Sequence, residues 1–222
     1  MVEALYFPRR RAEDIGRDIF IEGQEHIEAA YAKESGTFLF SAHFGNWELT
    51  ALMQGFMGLP LTLLGRQLDN PLLEKRVAAL RTLSGNRLIH KRHSVREMIR
   101  LLKRGECVAI VTDQDARAGG IFVPFLGLPS STTPTLATLT LRTGASIVPV
   151  FSLPQPGGGY RIVYEPAIEF QPGGDHDRDV EELTIVCNQI LERWIRKYPQ
   201  YWLWMHRRWK TTPPDGGIDD LG

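Results

Sequence analysis

Short apolar runs alternate with helical patterns along this chain of 222 residues. Such alternation predicts an α/β domain with a largely parallel central sheet flanked by helices. Two observations support it. The run at 37–42, TFLFSA, is nearly all apolar, which is typical of a strand buried on both faces. The stretches between such runs have helical periodicity, with recognisable first and last residues. Because neither a repeat nor a linker divides the chain, we predict one domain over 1–222.

The individual elements follow from these patterns in order. Asn70 is a good helix cap and Pro71 suits the first helical position, whereas Ser94 and Glu97 form a capping box. The last two strands flank a turn rich in proline and glycine, which predicts a hairpin at the sheet edge. The long loop over 113–131 is of a length that is usually functional. We predict strands at 19–22, 37–42, 61–64, 87–90, 107–111, 147–151 and 160–164, and helices at 24–33, 46–57, 70–83, 94–104, 133–143 and 179–197.

Composition limits the classes of function. Lys+Arg and Asp+Glu are equal at 26 each, so the chain lacks the global basic field that bulk nucleic-acid binding requires. Basic residues cluster locally at 9–11, at 91–93, and at Arg207, Arg208 and Lys210. These clusters are expected either to be solvated faces or to meet phosphates of a lipid surface or an acidic carrier protein.

The cysteine spacing argues against a cysteine metal site, and the hydropathy argues against a membrane-spanning segment. Cys107 and Cys187 lie in apolar stretches without metal-type spacing, so we expect buried, reduced thiols. No window approaches the roughly 18 apolar residues that a membrane span requires, and the first residues lack a signal-peptide pattern. We therefore expect a peripheral protein if the substrate is a lipid.

His43 directly follows the apolar run, at the place where ligands gather beyond the strands of an open α/β sheet. A tight turn at Gly45 and Asn46 can bring Glu48 back toward the imidazole. A carboxylate on one ring nitrogen fixes the tautomer and makes the other nitrogen a better base. The alternative is a core histidine followed by a glutamate that favours the start of a helix.

Four segments together resemble the bacterial lipid A late acyltransferases (the lauroyl/myristoyl acyltransferase family) of the wider glycerolipid acyltransferase superfamily. The segment at 41–49 resembles the HX4E block, and the segment at 66–72 resembles the second block. The aspartate block and its following loop match at 112–115 and 122–127, and the aromatic and basic C-terminal signature matches at 201–210. The resemblance covers roughly 23–210 and implies a glycerolipid-acyltransferase-like fold.

The resemblance also implies a mechanism and a set of site residues. His43 would be the general base on a hydroxyl that attacks the thioester of an acyl-carrier protein, and Glu48 would orient His43. The acceptor would be a membrane glycolipid, such as a lipid A precursor, or a lysophospholipid, met at the cytoplasmic face of the inner membrane. No metal or organic cofactor is implied. The residues expected to bind substrate are Asn46, Arg66, Arg81, Asp113 and Asp115.

Family members usually have a transmembrane helix and further helical sequence before the point where this chain begins. The residues at 1–18 resemble the end of that region, so the chain is either a naturally short member or an N-terminally cut form. We expect a frayed tail at 213–222.

Two other functions remain open at this point. One is a metal-dependent hydrolase or glycosyltransferase, in which Asp113 and Asp115 bind a divalent ion beside His43 or His93. The other is a non-catalytic protein of the same fold that binds lipid or carrier protein.

The apolar segments near the site also have two interpretations. The segment at 122–129 is either a loop packed on the core or a wall for the fatty chain, and its prolines argue against a regular internal strand. Trp202, Trp204 and Trp209 suit a membrane interface, but tryptophans pack equally well in a core.

Overall fold

A seven-stranded sheet with helices on both faces forms the centre of the protein. The structure, a computed structural model, describes residues 18–65, 68–90 and 94–214. The strands are β1 (Ile19–Glu22), β2 (Thr37–Ser41), β3 (Leu61–Gly65), β4 (Arg87–His90), β5 (Cys107–Val111), β6 (Ile121–Phe125), β7 (Leu128–Thr132), β8 (Ser146–Pro154) and β9 (Tyr160–Tyr164). The helices are α1 (Gln24–Ala32), α2 (Trp47–Phe56), α3 (Pro71–Thr82), α4 (Ser94–Leu102), α5 (Thr135–Thr143) and α6 (His176–Lys197).

The central sheet is largely parallel, as predicted. Its order is β1-β9-β8-β2-β5-β3-β4, and only the β8–β9 pair is antiparallel. The predicted hairpin of β8 and β9 is confirmed, but its predicted place at the sheet edge is wrong. β1 pairs with β9 and forms that edge, so the hairpin has neighbours on both sides.

Helices cover both faces of the sheet, and this accounts for the apolar sequence of β2. Phe38 and Phe40 pack with α4, α5 and α6, whereas Leu39 between them packs with α1, α2 and α3. Alternate side chains of a strand point to opposite faces, so a strand with two covered faces is apolar throughout. β2 is therefore a central strand, which fixes the position of the residues that follow it.

The segment 122–129 forms a hairpin rather than an irregular loop. β6 and β7 pair antiparallel outside the main sheet, with Pro124 opposite Pro129. The prolines are tolerated because a two-stranded ribbon leaves one side of each strand without a ladder partner. Val123 and Phe125 are fully buried, and the hairpin packs on α6. The interpretation as a segment packed on the core is thus confirmed, and the stretch predicted as a long loop over 113–131 contains two strands.

The first and last residues of the chain mostly lie outside the described residues. This applies to the expected N-terminal remnant at 1–18, except Asp18, and to the expected frayed tail beyond Pro214. Cys107 and Cys187 are buried and unpaired, as expected.

The turn between β2 and α2 depends on a glycine. Gly45 has a positive φ of 56°, and a Cβ at this position would meet the Ser152 carbonyl oxygen of β8 at 1.8 Å. The Asn46 backbone N–H donates to the Ser152 hydroxyl at 2.8 Å. Close contact with β8 therefore requires a residue without a side chain at this point.

We predict that Gly45→Ala destabilises the protein by about 3 kcal/mol, because it combines an unfavourable φ with a clash against backbone. Gly58→Ala is the matched control, since Gly58 has a φ of 78° and open space around it. The control is expected to cost only about 1 kcal/mol, from backbone conformation alone. Urea unfolding measures both, and equal costs would contradict the proposed close contact with β8.

Candidate active site

His43 lies two residues beyond β2, at the carboxyl edge of the sheet. Its side chain is 17% exposed, so the ring is held by protein and still reaches solvent. The rings of Trp47 and His206 contact it edge to face, with centroids 5.1 and 4.9 Å away. The alternative of a histidine sealed within the core is thereby excluded.

Asp113 is the carboxylate that holds the His43 ring. Its Oδ1 lies 2.8 Å from His43 Nδ1, and its Oδ2 accepts a hydrogen bond from the His43 backbone N–H at 3.0 Å. The parallel register of β2 and β5 explains this contact. Ser41 pairs with Val111, and His43 and Asp113 each lie two residues further along, so they leave neighbouring strands at the same level.

The surroundings of Asp113 keep it ionised. Its side chain has no exposed surface, and the Trp202 indole N–H donates to Oδ2 at 2.9 Å. Burial alone would raise the pKa of Asp113, but the hydrogen bonds and charge of His43, together with the Trp202 N–H, lower it below its usual range. The ionised carboxylate accepts a hydrogen bond from the Nδ1–H group, so His43 Nε2 carries the free lone pair.

Glu48 does not form the predicted contact with the His43 ring. Both of its oxygens accept hydrogen bonds from Arg81, from Nε at 3.0 Å and from Nη2 at 2.6 Å. The hydrogen bonds that Arg81 donates to Glu48 raise the pKa of Arg81. The predicted contact of Glu48 with the His43 ring is therefore corrected: Asp113 makes that contact, because Arg81 of α3 offers Glu48 a planar fork of two donors. The requirement of Glu48 and Arg81 for activity stays a prediction.

The remaining predicted substrate-binding residues lie in different settings. Asn46 is buried, and its side chain caps α2 by accepting from the Leu49 N–H at 3.2 Å. Asp115 accepts from the Thr211 hydroxyl at 2.9 Å, which ties the aspartate block to the C-terminal segment. Their substrate-binding roles, like that of Arg81, stay predictions. Arg66 lies outside the described residues.

The C-terminal segment runs alongside His43. Phe44 and Trp202 form an isolated antiparallel bridge. The Gly45 N–H donates to the Tyr201 carbonyl at 2.8 Å, and the Leu203 N–H donates to the His43 carbonyl at 3.0 Å. Trp202 is a core residue, whereas Trp204 is 54% exposed beside it. The segment therefore forms one side of the site.

Gln114 and His206 also belong to the site, although no sequence pattern predicted a role for either. The Gln114 amide nitrogen lies 3.4 Å from His43 Nε2 and 2.9 Å from His206 Nε2. Burial and the nearby His43 lower the pKa of His206. The two residues thus face the ring nitrogen that is free to accept a proton.

Arg208 is not a surface cation, in contrast to the expectation for the basic cluster at the C-terminus. It is fully buried, whereas Arg207 and Lys210 are exposed. It donates to the Ser131 carbonyl at 2.6 Å and to the Thr132 hydroxyl at 2.5 Å, and it lies over the Phe125 ring. Burial lowers the pKa of Arg208 to about 10. Arg208 fastens the C-terminal segment to the hairpin of β6 and β7.

The alternative of a metal-dependent enzyme requires a set of metal ligands, and the part of the chain that the structure describes does not contain one. Within it, no three His, Cys, Asp or Glu side chains are arranged so that together they could hold a metal ion. Asp113 already uses both oxygens for His43 and Trp202, and His93 lies outside the described residues.

The comparisons with known proteins decide the family. A sequence profile described as "Bacterial lipid A biosynthesis acyltransferase" matches residues 1–211. The chain belongs to this family. It is 32% identical over 213 residues to the lipid A biosynthesis lauroyltransferase of Escherichia coli (strain K12), a match that covers 95% of this chain and 67% of the relative.

Two further relatives are similar to this chain, and the name of one of them refers to a lipid other than lipid A. The palmitoleoyltransferase of lipid A biosynthesis from the same organism is 29% identical over 87% of this chain and 62% of its own length. A phosphatidylinositol mannoside acyltransferase of Mycobacterium tuberculosis (strain ATCC 25618 / H37Rv) is 24% identical over 86% of this chain and 60% of its own length. The chain thus spans about three fifths to two thirds of these relatives. Among the described helices, none combines the length and apolarity needed to cross a bilayer.

We predict that Arg208→Met destabilises the protein by about 3 kcal/mol, because it removes the buried hydrogen bonds that Arg208 donates to the Ser131 carbonyl and the Thr132 hydroxyl. Arg207→Met is the matched control, since this neighbour is exposed and is expected to change stability by at most about 0.5 kcal/mol. Thermal unfolding of both variants measures the difference. Equal melting temperatures would show that Arg208 does not hold the segment.

Proposed function

We propose that this protein transfers a fatty acyl group from the thioester of an acyl-carrier protein to a hydroxyl of a membrane glycolipid of the lipid A type. The observation that carries the proposal is the contact of His43 Nδ1 with the buried Asp113 carboxylate at 2.8 Å. This contact leaves Nε2 as a proton acceptor at the protein surface, which is what deprotonation of an alcohol requires.

In the proposed reaction, His43 Nε2 takes the proton from the acceptor hydroxyl as its oxygen attacks the thioester carbonyl carbon. Asp113 stabilises the resulting imidazolium and remains ionised. The tetrahedral intermediate then collapses, the carbon–sulfur bond breaks, and the His43 proton passes to the leaving thiolate. The products are the new ester and the free thiol of the carrier, so the histidine is returned to its starting state.

The choice of a glycolipid acceptor rests on the family and on the surface near the site. Val111, Trp204 and Met205 are large apolar side chains that are 37, 54 and 88% exposed. Val111 ends the strand that precedes Asp113, and Trp204 and Met205 directly precede His206. Exposed apolar side chains around a polar centre are typical of a surface that meets lipid. We propose that this rim faces the inner membrane from its cytoplasmic side.

We predict that His43→Ala lowers acyl transfer at least about 1,000-fold, and that Asp113→Asn lowers it at least about 100-fold, because general-base catalysis contributes on this scale. The assay incubates the purified chain with acyl carrier protein that carries a fatty acyl thioester, together with a lipid A precursor in mixed micelles. Mass spectrometry detects the acylated lipid. Circular dichroism checks that each variant is folded.

Three outcomes would count against parts of the proposal. Full activity of a folded His43→Ala variant would remove the base. Wild-type protein that binds acyl-carrier protein or lipid but never forms product would favour the non-catalytic alternative. If acyl-coenzyme A supports turnover as well as the carrier thioester does, the carrier assignment is wrong.

A further inference from the structure

The amide of Gln114 lies between two imidazoles. Its nitrogen is 2.9 Å from His206 Nε2 and 3.4 Å from His43 Nε2, and the side chain is exposed. Gln114 directly follows Asp113, so the bonds that hold the carboxylate also hold the backbone next to this amide. The amide is therefore close to the reacting nitrogen and open to substrate.

The proton on His43 decides which end of the amide faces it. Because Nδ1 keeps its proton and donates a hydrogen bond to Asp113, Nε2 of the neutral His43 ring has a lone pair and no hydrogen. Only an N–H group, and not the amide oxygen, makes a favourable contact with a lone pair. The nitrogen of Gln114 must then face His43, and its second hydrogen faces His206.

His206 fixes this orientation. The shorter contact, 2.9 Å, is with His206 Nε2, which must accept the hydrogen bond and so carries its proton on Nδ1. Burial and the nearby His43 lower the pKa of His206, which favours the neutral ring that this hydrogen bond requires. One N–H of Gln114 is thus occupied by His206, and the other points to the place where the reacting oxygens gather.

We infer that the free N–H of Gln114 donates a hydrogen bond to the thioester carbonyl oxygen as negative charge develops on it, and that His206 positions Gln114 for this role. The inference rests on the proposed function. When the acceptor hydroxyl takes the lone pair of His43 Nε2, it displaces the long 3.4 Å contact of the Gln114 amide. The released N–H then has the oxyanion as its partner, at the step in which the carbon–oxygen bond forms.

An oxyanion donor has a characteristic kinetic signature. Its hydrogen bond strengthens only in the transition state, so its loss lowers kcat with little change in KM. Removal of one such donor typically costs about 100- to 1,000-fold in kcat. A positioning residue that acts only through this donor has no effect once the donor is absent.

The test measures kcat and KM for Gln114→Ala, Gln114→Glu, His206→Ala and the double variant Gln114→Ala/His206→Ala, in the assay of the proposed function. Gln114→Glu keeps the shape of the side chain but lacks the N–H donors. We expect Gln114→Ala and Gln114→Glu to lose about 100-fold in kcat, and His206→Ala to lose about 10-fold. The double variant should equal Gln114→Ala alone. Gln171→Ala, at an exposed position, should behave as wild type.

Each deviation is informative. Wild-type kcat in Gln114→Ala or Gln114→Glu would overturn the donor role, and an additive loss in the double variant would overturn the role of His206. If His43→Ala is inactive in the same assay, the proposed function survives either result. Activity retained in His43→Ala would instead overturn the proposed function itself. Thermal unfolding of each variant excludes a loss of fold as the cause.

Discussion

The hydrogen bond between His43 and the buried Asp113 carboxylate is the contact on which the rest of the site depends. It fixes the tautomer of His43 and leaves a lone pair on Nε2. That lone pair in turn determines which end of the Gln114 amide faces the ring. A buried carboxylate is costly unless it is fully bonded. The backbone and ring of His43 and the indole of Trp202 supply these bonds, and each of these donors is thereby fixed in place.

Three distant parts of the chain must meet to form this arrangement. Parallel pairing of β2 with β5 brings His43 and Asp113 to the same level. The C-terminal segment then adds Trp202 and His206, and its backbone bonds to residues 43–45 hold it against the turn. Arg208 extends the attachment to the hairpin of β6 and β7. The stability of the fold and the geometry of the site are therefore coupled through the same bonds.

Much of the fold followed from local pattern. The apolar run of β2, the Asn70 cap and the long amphipathic α6 are features of neighbouring residues, and each element was confirmed. The position of His43 followed from its place after a central strand. The place of β1 at the edge, beyond the hairpin of β8 and β9, did not follow, because no local pattern states which strand pairs with β9.

The partners within the site were harder to predict for the same reason. Glu48 is near His43 in sequence, but it bonds to Arg81, 33 residues away. Asp113, Gln114 and His206 are 70 residues or more from His43, and only the sheet register and the docked C-terminal segment bring them together. The sequence did contain one signal for this contact, since His43 and Asp113 each come just after an apolar run that was predicted as a strand. Arg208 had no such signal, because a buried and an exposed arginine look alike in a basic cluster.

The tautomer of His43 tests the central claim most directly. Nitrogen NMR of protein with ¹⁵N-labelled histidine, assigned with His43→Gln, reports which ring nitrogen carries the proton in the neutral form. We expect a protonated, strongly hydrogen-bonded Nδ1 in wild type and in Glu48→Gln, with loss of that bond in Asp113→Asn. Loss of the bond in Glu48→Gln and its persistence in Asp113→Asn would contradict the account.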